Sequence, residues 1–294
     1  MTWIAYRVVF KLKSPLHIGC GKVGNVQRTR PYITGRNLWG ALTMRLTRDA
    51  TDGPATNSKQ YKCCSDKVDQ ELAFTYFYPA LKPENQDYQI QWPWDNESLF
   101  RRRFLSSYAS TALVYHQQAA EEGLLHEVEF KGLLHEVEFI SPRTLDGGQQ
   151  VYLVGYLFQK EGSDLPWQLA CQRLQMGGER GYGWGDMRLI EIKKITDEHD
   201  GYNHRLFDSE NYTWQVENNS IVIQVSENSS LLAHTKTENV SAQGEIEPLV
   251  GREWQEAKKA GESVAFSGMC WTPGTVVNGS MSFKIKRLGV WIGH

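Results

Sequence analysis

The sequence predicts an α+β protein: a ferredoxin-like core carrying insertions and additional C-terminal strands. Three observations predict it. Over the first two-thirds of the chain the apolar period switches between two and the helical spacing, in the order strand–helix–strand–strand–helix–strand. The stretch QMGGERGYGWG, Gln175–Gly185, places five glycines among eleven residues between a helix-like and a strand-like segment. The segments that do not fit this order are polar and rich in turn residues, as insertions are. The 294 residues allow one large domain or two small ones. The core is expected over 1–195, with a helical insertion at about 49–122. A strand-rich extension or second subdomain is expected over 196–294.

Trp3–Leu12 alternates strongly and reads as the first strand, ended by Ser14–Pro15. His17 to Thr34 reads as a loop with glycines at 19, 21 and 24. Asn37 is expected to cap a helix over Leu38–Thr47, where Leu38, Ala41, Leu42 and Arg45 keep helical spacing. Residues 49–70 read as a polar insertion or mobile loop, and 71–95, with three prolines, as irregular packed structure. Glu97–Glu122 reads as a helix opening on Arg101, Arg102 and Arg103. GLLHEVEF at Gly123–Phe130 recurs at Gly132–Phe139. An odd offset of nine residues exchanges the faces of a strand, so the two copies are not equivalent in one regular strand. Segments 133–140 and 150–159 are expected to pair as a hairpin. Trp167–Leu174 then reads as a short helix, Met187–Ile192 as a strand, and 197–210 as a polar loop. Further strands are expected at 219–226, 263–270 and 281–288, with a polar insertion over 227–262.

Composition excludes several classes. Charged residues are 22% and net charge is −2, so the whole molecule is no polyanion magnet. The charge is unevenly placed, however. Residues 1–48 hold nine Lys or Arg and no Asp or Glu, which points to a localised anion-binding surface. Five cysteines without a CxxC motif argue against a disulfide scaffold or a thiolate zinc cluster. His199 and His204, five apart, do not make a zinc site. The N-terminus is not a signal peptide and no apolar run spans a membrane, so a cytoplasmic location is expected. The glycine segment enters a strand from a helix, the reverse of a dinucleotide loop, and no P-loop is present.

Four segments carry a family resemblance: LKSPLHIG at Leu12–Gly19, RPYITGRNLWGAL at Arg30–Leu42, MGGERGYGWG at Met176–Gly185 and, less strongly, CWTPG at Cys270–Gly274. Together they resemble the RAMP superfamily of CRISPR-associated proteins, and the resemblance implies that the ferredoxin-like core is of the family's modified, RRM-like kind. The resemblance implies a guide-RNA-holding subunit of a type III effector complex, of the guide-tag-capping or backbone type. It implies as partners the CRISPR guide RNA, the large polymerase-like subunit and the repeating backbone subunits, with target RNA met indirectly. No cofactor, metal or membrane partner is implied. Target-cleaving backbone subunits of the family typically carry an aspartate in the loop after the first strand. Here loop 17–34 has no acid at all, which argues against cleavage by this chain.

The candidate RNA contacts follow. Lys22, Arg28 and Arg30 are expected to face phosphates without an acidic competitor, with neutral hydrogen bonds from Asn25 and Gln27. Arg36, just before the first helix, makes sense if an anion shares the free amides there. In the glycine segment, Gly177 and Gly178 are expected to let backbone approach RNA, and Arg180 to reach it. Tyr182 and Trp184 stack bases or, for Trp184, pack against the first helix. Tyr32 stacks a base or packs. Two rival functions remain. One is a metal-independent endoribonuclease that processes precursor CRISPR RNA, with His17 as general acid or base; the bland reading of His17 is a packed, hydrogen-bonded residue. The other is a bridging structural subunit with little RNA contact.

Overall fold

The computed structural model describes residues 2–51, 55–110, 113–114, 119–120, 135–195, 204–254 and 261–294. β1 (Trp3–Leu12) leads to a hairpin of β2 (Gly19–Val23) and β3 (Val26–Thr29), then to α1 (Gly35–Ala50) and α2 (Ser58–Glu71). β4 (Leu72–Phe74), β5 (Tyr78–Leu81), β6 (Gln89–Ile90) and α3 (Glu97–Phe104) follow. Next come β7 (Leu105–Ser110), β8 (Leu113–Val114), β9 (Ala119–Ala120), β10 (His135–Ile140), β11 (Tyr152–Lys160), α4 (Trp167–Cys171) and β12 (Met187–Lys194). The C-terminal strands are β13 (Tyr212–Glu217), β14 (Ser220–Val225), β15 (Thr235–Lys236), β16 (Ala242–Gln243), β17 (Ile246–Glu253), β18 (Ser263–Trp271), β19 (Val276–Val277), β20 (Met281–Ile285) and β21 (Trp291–Gly293).

The main sheet runs β12–β1–β11–β5–β6, with β4 also on β11, and β1, β11 and β12 pair antiparallel. Taking β4 and β5 as one interrupted strand gives the order fourth–first–third–second. With α1 after the first strand and α4 before the fourth, this is the ferredoxin-like topology. Both faces of the sheet are buried. Phe10, Leu12, Leu153 and Leu157 face Leu38, Leu42 and Trp167 of the helices. Ala5, Tyr156 and Phe158, on the alternate side, pack with Trp214, Ile223, Phe283 and Trp291 of the C-terminal strands. Those strands form a seven-stranded sheet, β13–β14–β20–β21–β15–β18–β17, which covers the second face of the core.

Several expectations are corrected. The second core strand is not 133–140. It is β4 and β5, from the segment read as irregular, while β10 pairs antiparallel with β7 and parallel with β3 in a separate sheet. Only an isolated bridge, Arg143 with Gln150, joins the two predicted hairpin arms. The pattern misled because β4/β5 carries a one-residue bulge: Phe74 opposes Leu157, but Tyr78 opposes Val154. Gly155 lies opposite the bulge, where a Cβ would sit 2.5 Å from the Phe77 ring. Loop 17–34 contains the β2–β3 hairpin. The polar 49–70 segment contains α2, whose Asn57–Gln60 capping box explains its start. α1 begins at Gly35 with Thr34 as N-cap, so Asn37 lies inside it. The helix at 97 ends at Phe104 and the chain turns into a strand. Segment 227–262 supplies β15, β16 and β17. The first GLLHEVEF copy and His199 lie outside the described residues.

Candidate nucleic-acid interface

His17 sits at the junction of three segments. It is 5% exposed, and its Nδ1 donates to the Glu138 carbonyl on β10 at 2.7 Å, which puts a proton on that nitrogen. Its own carbonyl accepts from the Gly178 amide at 2.8 Å. A Cβ on Gly177 would collide with that carbonyl, and one on Gly178 would lie 3.0 Å from the imidazole Cδ2. One turn on, the Gly185 amide donates to the Pro15 carbonyl at 2.7 Å, and a Cβ there would strike the Met176 carbonyl. The close approach that Gly177 and Gly178 permit is therefore to the protein's own 15–19 segment, and the one that Gly185 permits is to the Met176 carbonyl. At Gly181 and Gly183 a Cβ meets nothing within 4 Å. His17 is the packed residue of its bland reading, buried against these glycines.

Loop 17–34 has no acid of its own, but the fold brings carboxylates to it. Glu138 bridges Arg28 at 3.0 Å and Arg101, and accepts from the Thr29 amide. Arg30 pairs with Glu247 at 2.7 Å, and Arg36 with Glu253 at 3.2 Å. The expectation of phosphate contacts without an acidic competitor is thus corrected for Arg28 and Arg30, and Arg36, expected beside an anion at the helix start, meets a carboxylate of the chain itself; these partners lie 110 to more than 200 positions away. Burial works against the charge of Arg30, but Tyr32 and Glu247 outweigh it and hold the guanidinium above its usual pKa. Lys22, at the hairpin tip, is exposed and has no carboxylate partner among the described residues. Asn25 is also exposed, and Gln27 is half-buried. Tyr32 is buried against Tyr76 and Tyr78, with ring centroids 5.8 and 5.5 Å apart, so it packs.

The tip of the glycine segment divides by direction. Tyr182 is 83% exposed. Trp184 packs edge-on to Phe139 of β10 at 5.0 Å, with Tyr108 of β7 at 6.3 Å, and not on α1. Arg180 crosses to α1, its Nη1 3.4 Å from the Met44 sulfur, with no carboxylate partner among the described residues. Glu179 precedes it at φ 55°, an unusual conformation for a residue with a side chain. The arginine triplet is largely structural: Arg101 binds Glu138, Arg103 binds Asp146 at 2.9 Å, and Arg102 is exposed. In CWTPG, Gly274 at φ 95° packs on Trp94.

A groove runs between α1, the glycine segment and β17. Arg30, Arg36, Arg48, Arg180 and Arg252 line it, and none of its lining residues is Asp or Glu. Arg48 and Arg252 were not singled out in the sequence. Arg48 was one of nine cations in a basic stretch, and Arg252 lay in a segment read as a polar insertion. Beneath the groove, Tyr76 donates to His234 Nδ1 at 2.7 Å, and His234 Nε2 bonds Glu247. Burial lowers the pKa of His234 against the opposing pull of Glu247. Burial tends to raise Glu247, but its bonds to His234 and Arg30 bring it down to about 2. Among the described residues no group of three or more His, Cys, Asp or Glu is placed to hold a metal ion, and no helix is long and apolar enough to cross a membrane.

No family model matches the chain, and no curated protein matches it. Solved structures do. A chain of Type III-B Cmr-beta bound to cognate target RNA and AMPPnP is similar over 92% of this chain and 85% of its own, at 9% identity and a TM-score of 0.42. A chain of apo Type III-B Cmr-beta is similar over 66% and 98%, at 12% identity and a TM-score of 0.38. Cmr6 from Pyrococcus furiosus is similar over 64% and 98%, at 12% identity and a TM-score of 0.34. At these scores the fold rests on the strand order itself.

Proposed function

We propose that this chain is a non-catalytic, guide-RNA-binding subunit of the RAMP type in a type III CRISPR ribonucleoprotein. The observation that carries the reading is the arginine-lined groove free of lining carboxylates, beside a loop tip bearing Arg180 and exposed Tyr182. Around it, Lys22, Asn25 and Gln27 on the hairpin supply further phosphate and sugar contacts. Arg28, Arg30 and Arg36 contribute from within their ion pairs, and Trp184 supports the loop from below. The similar Cmr-beta structure is described as bound to cognate target RNA, in line with this assignment. The partners are then the guide RNA, a large polymerase-like subunit and repeating backbone subunits, with target RNA met through the guide, in the cytoplasm. The chain divides near residue 195 into a ferredoxin-like part and a C-terminal part.

The test is purification of the untagged native complex followed by crosslinking. Guide RNA attached at 22–36 or 177–185 is expected; a complex in which neither segment crosslinks would remove the proposed interface. The endoribonuclease reading has less support, because His17 is buried, with its Nδ1 on the Glu138 carbonyl, rather than presented at the surface. Cleavage of the cognate repeat in EDTA by the isolated chain, abolished in His17→Ala, would restore it. One observation favours an added bridging role: Val264 and Phe266 on β18 are 63% and 64% exposed beside the sheet's edge strand β17. Strong, salt-sensitive RNA binding by the isolated chain would exclude bridging as the sole function.

A further inference from the structure

The groove extends beyond the segments that the sequence motifs mark. Its outer walls come from the insertion helix α2, through Tyr61, and from the end of β17, through Arg252 and Trp254. Tyr61 and Trp254 are half-buried, with ring centroids 5.5 Å apart and planes inclined at 43°. Arg30 and Arg36 are held by Glu247 and Glu253. Arg48, Arg180 and Arg252 have no carboxylate partner among the described residues; Arg252 donates to the Gly261 carbonyl at 3.0 Å, and the Arg180 guanidinium approaches the Met44 sulfur. Three elements distant in sequence thus each direct into one recess a guanidinium that has no carboxylate partner among the described residues, next to an aromatic pair.

We propose that this recess is a single-stranded RNA site shared between the two halves of the chain, with phosphates against Arg48, Arg180 and Arg252 and an unpaired base against Tyr61 and Trp254. The inference rests on the RNA-binding reading above and adds to it the C-terminal strand and the insertion helix. Cations spaced along a groove match the repeated charge of a nucleic-acid backbone. Aromatic rings beside them offer stacking that any base can use, because every base has a π-face. A duplex keeps those faces inside its own stack and leaves only its edges and backbone to a protein. The recess therefore selects unpaired RNA with little sequence preference.

The experiment uses the full-length chain and a fluorescent pyrimidine-rich RNA, free or annealed to its complement, titrated across a range of salt. The single strand is expected to bind more tightly than the duplex. Arg48→Ala and Arg252→Ala are each expected to weaken it several-fold and to flatten the logarithmic salt slope by about 0.7. Trp254→Ala is expected to weaken binding about five- to a hundred-fold at an unchanged slope, with Trp254→Phe restoring most of it. Thermal midpoints identify any variant that is merely unfolded, and for such a variant Tyr61→Ala reports on the same ring pair. Wild-type binding that is indifferent to all of these substitutions, or equal for single strand and duplex, overturns this inference and leaves the broader reading standing. Wild-type protein that binds neither RNA, together with a native complex lacking crosslinks at 22–36 and 177–185, overturns both.

Discussion

At the scale of single residues, the glycine segment does two jobs that substitutions can separate. Gly185 has φ 76° and no room for a Cβ, whereas Gly183 has φ 82° and open space. Gly185→Ala combines left-handed strain with a collision against the Met176 carbonyl, together about 2–4 kcal/mol. Gly183→Ala meets only the strain, about 1–2 kcal/mol. Thermal melts should rank them in that order, and equal midpoints would show that the close approach is not what constrains Gly185. Tyr182 makes the opposite case. At 83% exposure it contributes little to the fold, so Tyr182→Ala should leave the midpoint unchanged while lowering RNA affinity about fivefold or more. A fall in stability with no change in affinity would reverse that assignment.

At the scale of elements, the interrupted second strand explains both what the sequence revealed and what it hid. β1 was legible because it alternates without a break, and α1 because its apolar residues keep one stripe. β4 and β5 were not, because a bulge shifts the alternation by one residue and Pro79 sits within β5. The paired segment 133–140 also carried a strand pattern, but period two says nothing about which partner a strand takes. The basic loop was legible as basic; its carboxylate partners were not, since Glu138, Glu247 and Glu253 arrive from other strands. Likewise the glycines were legible as a close approach, but not what they approach. The bulge itself is testable. Gly155→Ala should cost about 1–3 kcal/mol by overpacking against Phe77. Adding Phe77→Ala should make the Gly155 substitution nearly harmless, since neighbouring sites that share one space are not additive. Additive losses across that cycle would mean that Gly155 is needed for another reason.

At the scale of the whole molecule, the two halves of the chain are joined by a partly buried polar chain. Arg30 and Tyr76 come from the ferredoxin-like part, and His234 and Glu247 from the C-terminal sheet. His234 is 0% exposed, so its neutral form is the one that fits: Nε2–H donates to Glu247 while Nδ1 accepts from Tyr76. Its pKa in the fold lies below the unfolded value near 6.5, so on acidification the unfolded chain takes up this proton first. The stability that neutral His234 contributes is fully present above about pH 6.5 and is lost as pH falls through the lowered folded value. Glu247, also depressed, acts in a lower window: its contribution is present above about pH 4.5 and is lost on the way to about pH 2. Allowing for the partial exposure of its side chain, that loss is about 2 kcal/mol. Denaturant midpoints measured from pH 8 to pH 3 should therefore decline in two stages. His234→Gln keeps a donor and an acceptor without a titrating ring, and should flatten the stage just below pH 6.5 while sparing the lower one. Glu247→Gln should remove part of the lower stage, even though other carboxylates also titrate there. A His234→Gln profile parallel to wild type between pH 5 and 7 would show that the junction between the halves is held by apolar packing, with its polar chain a passenger.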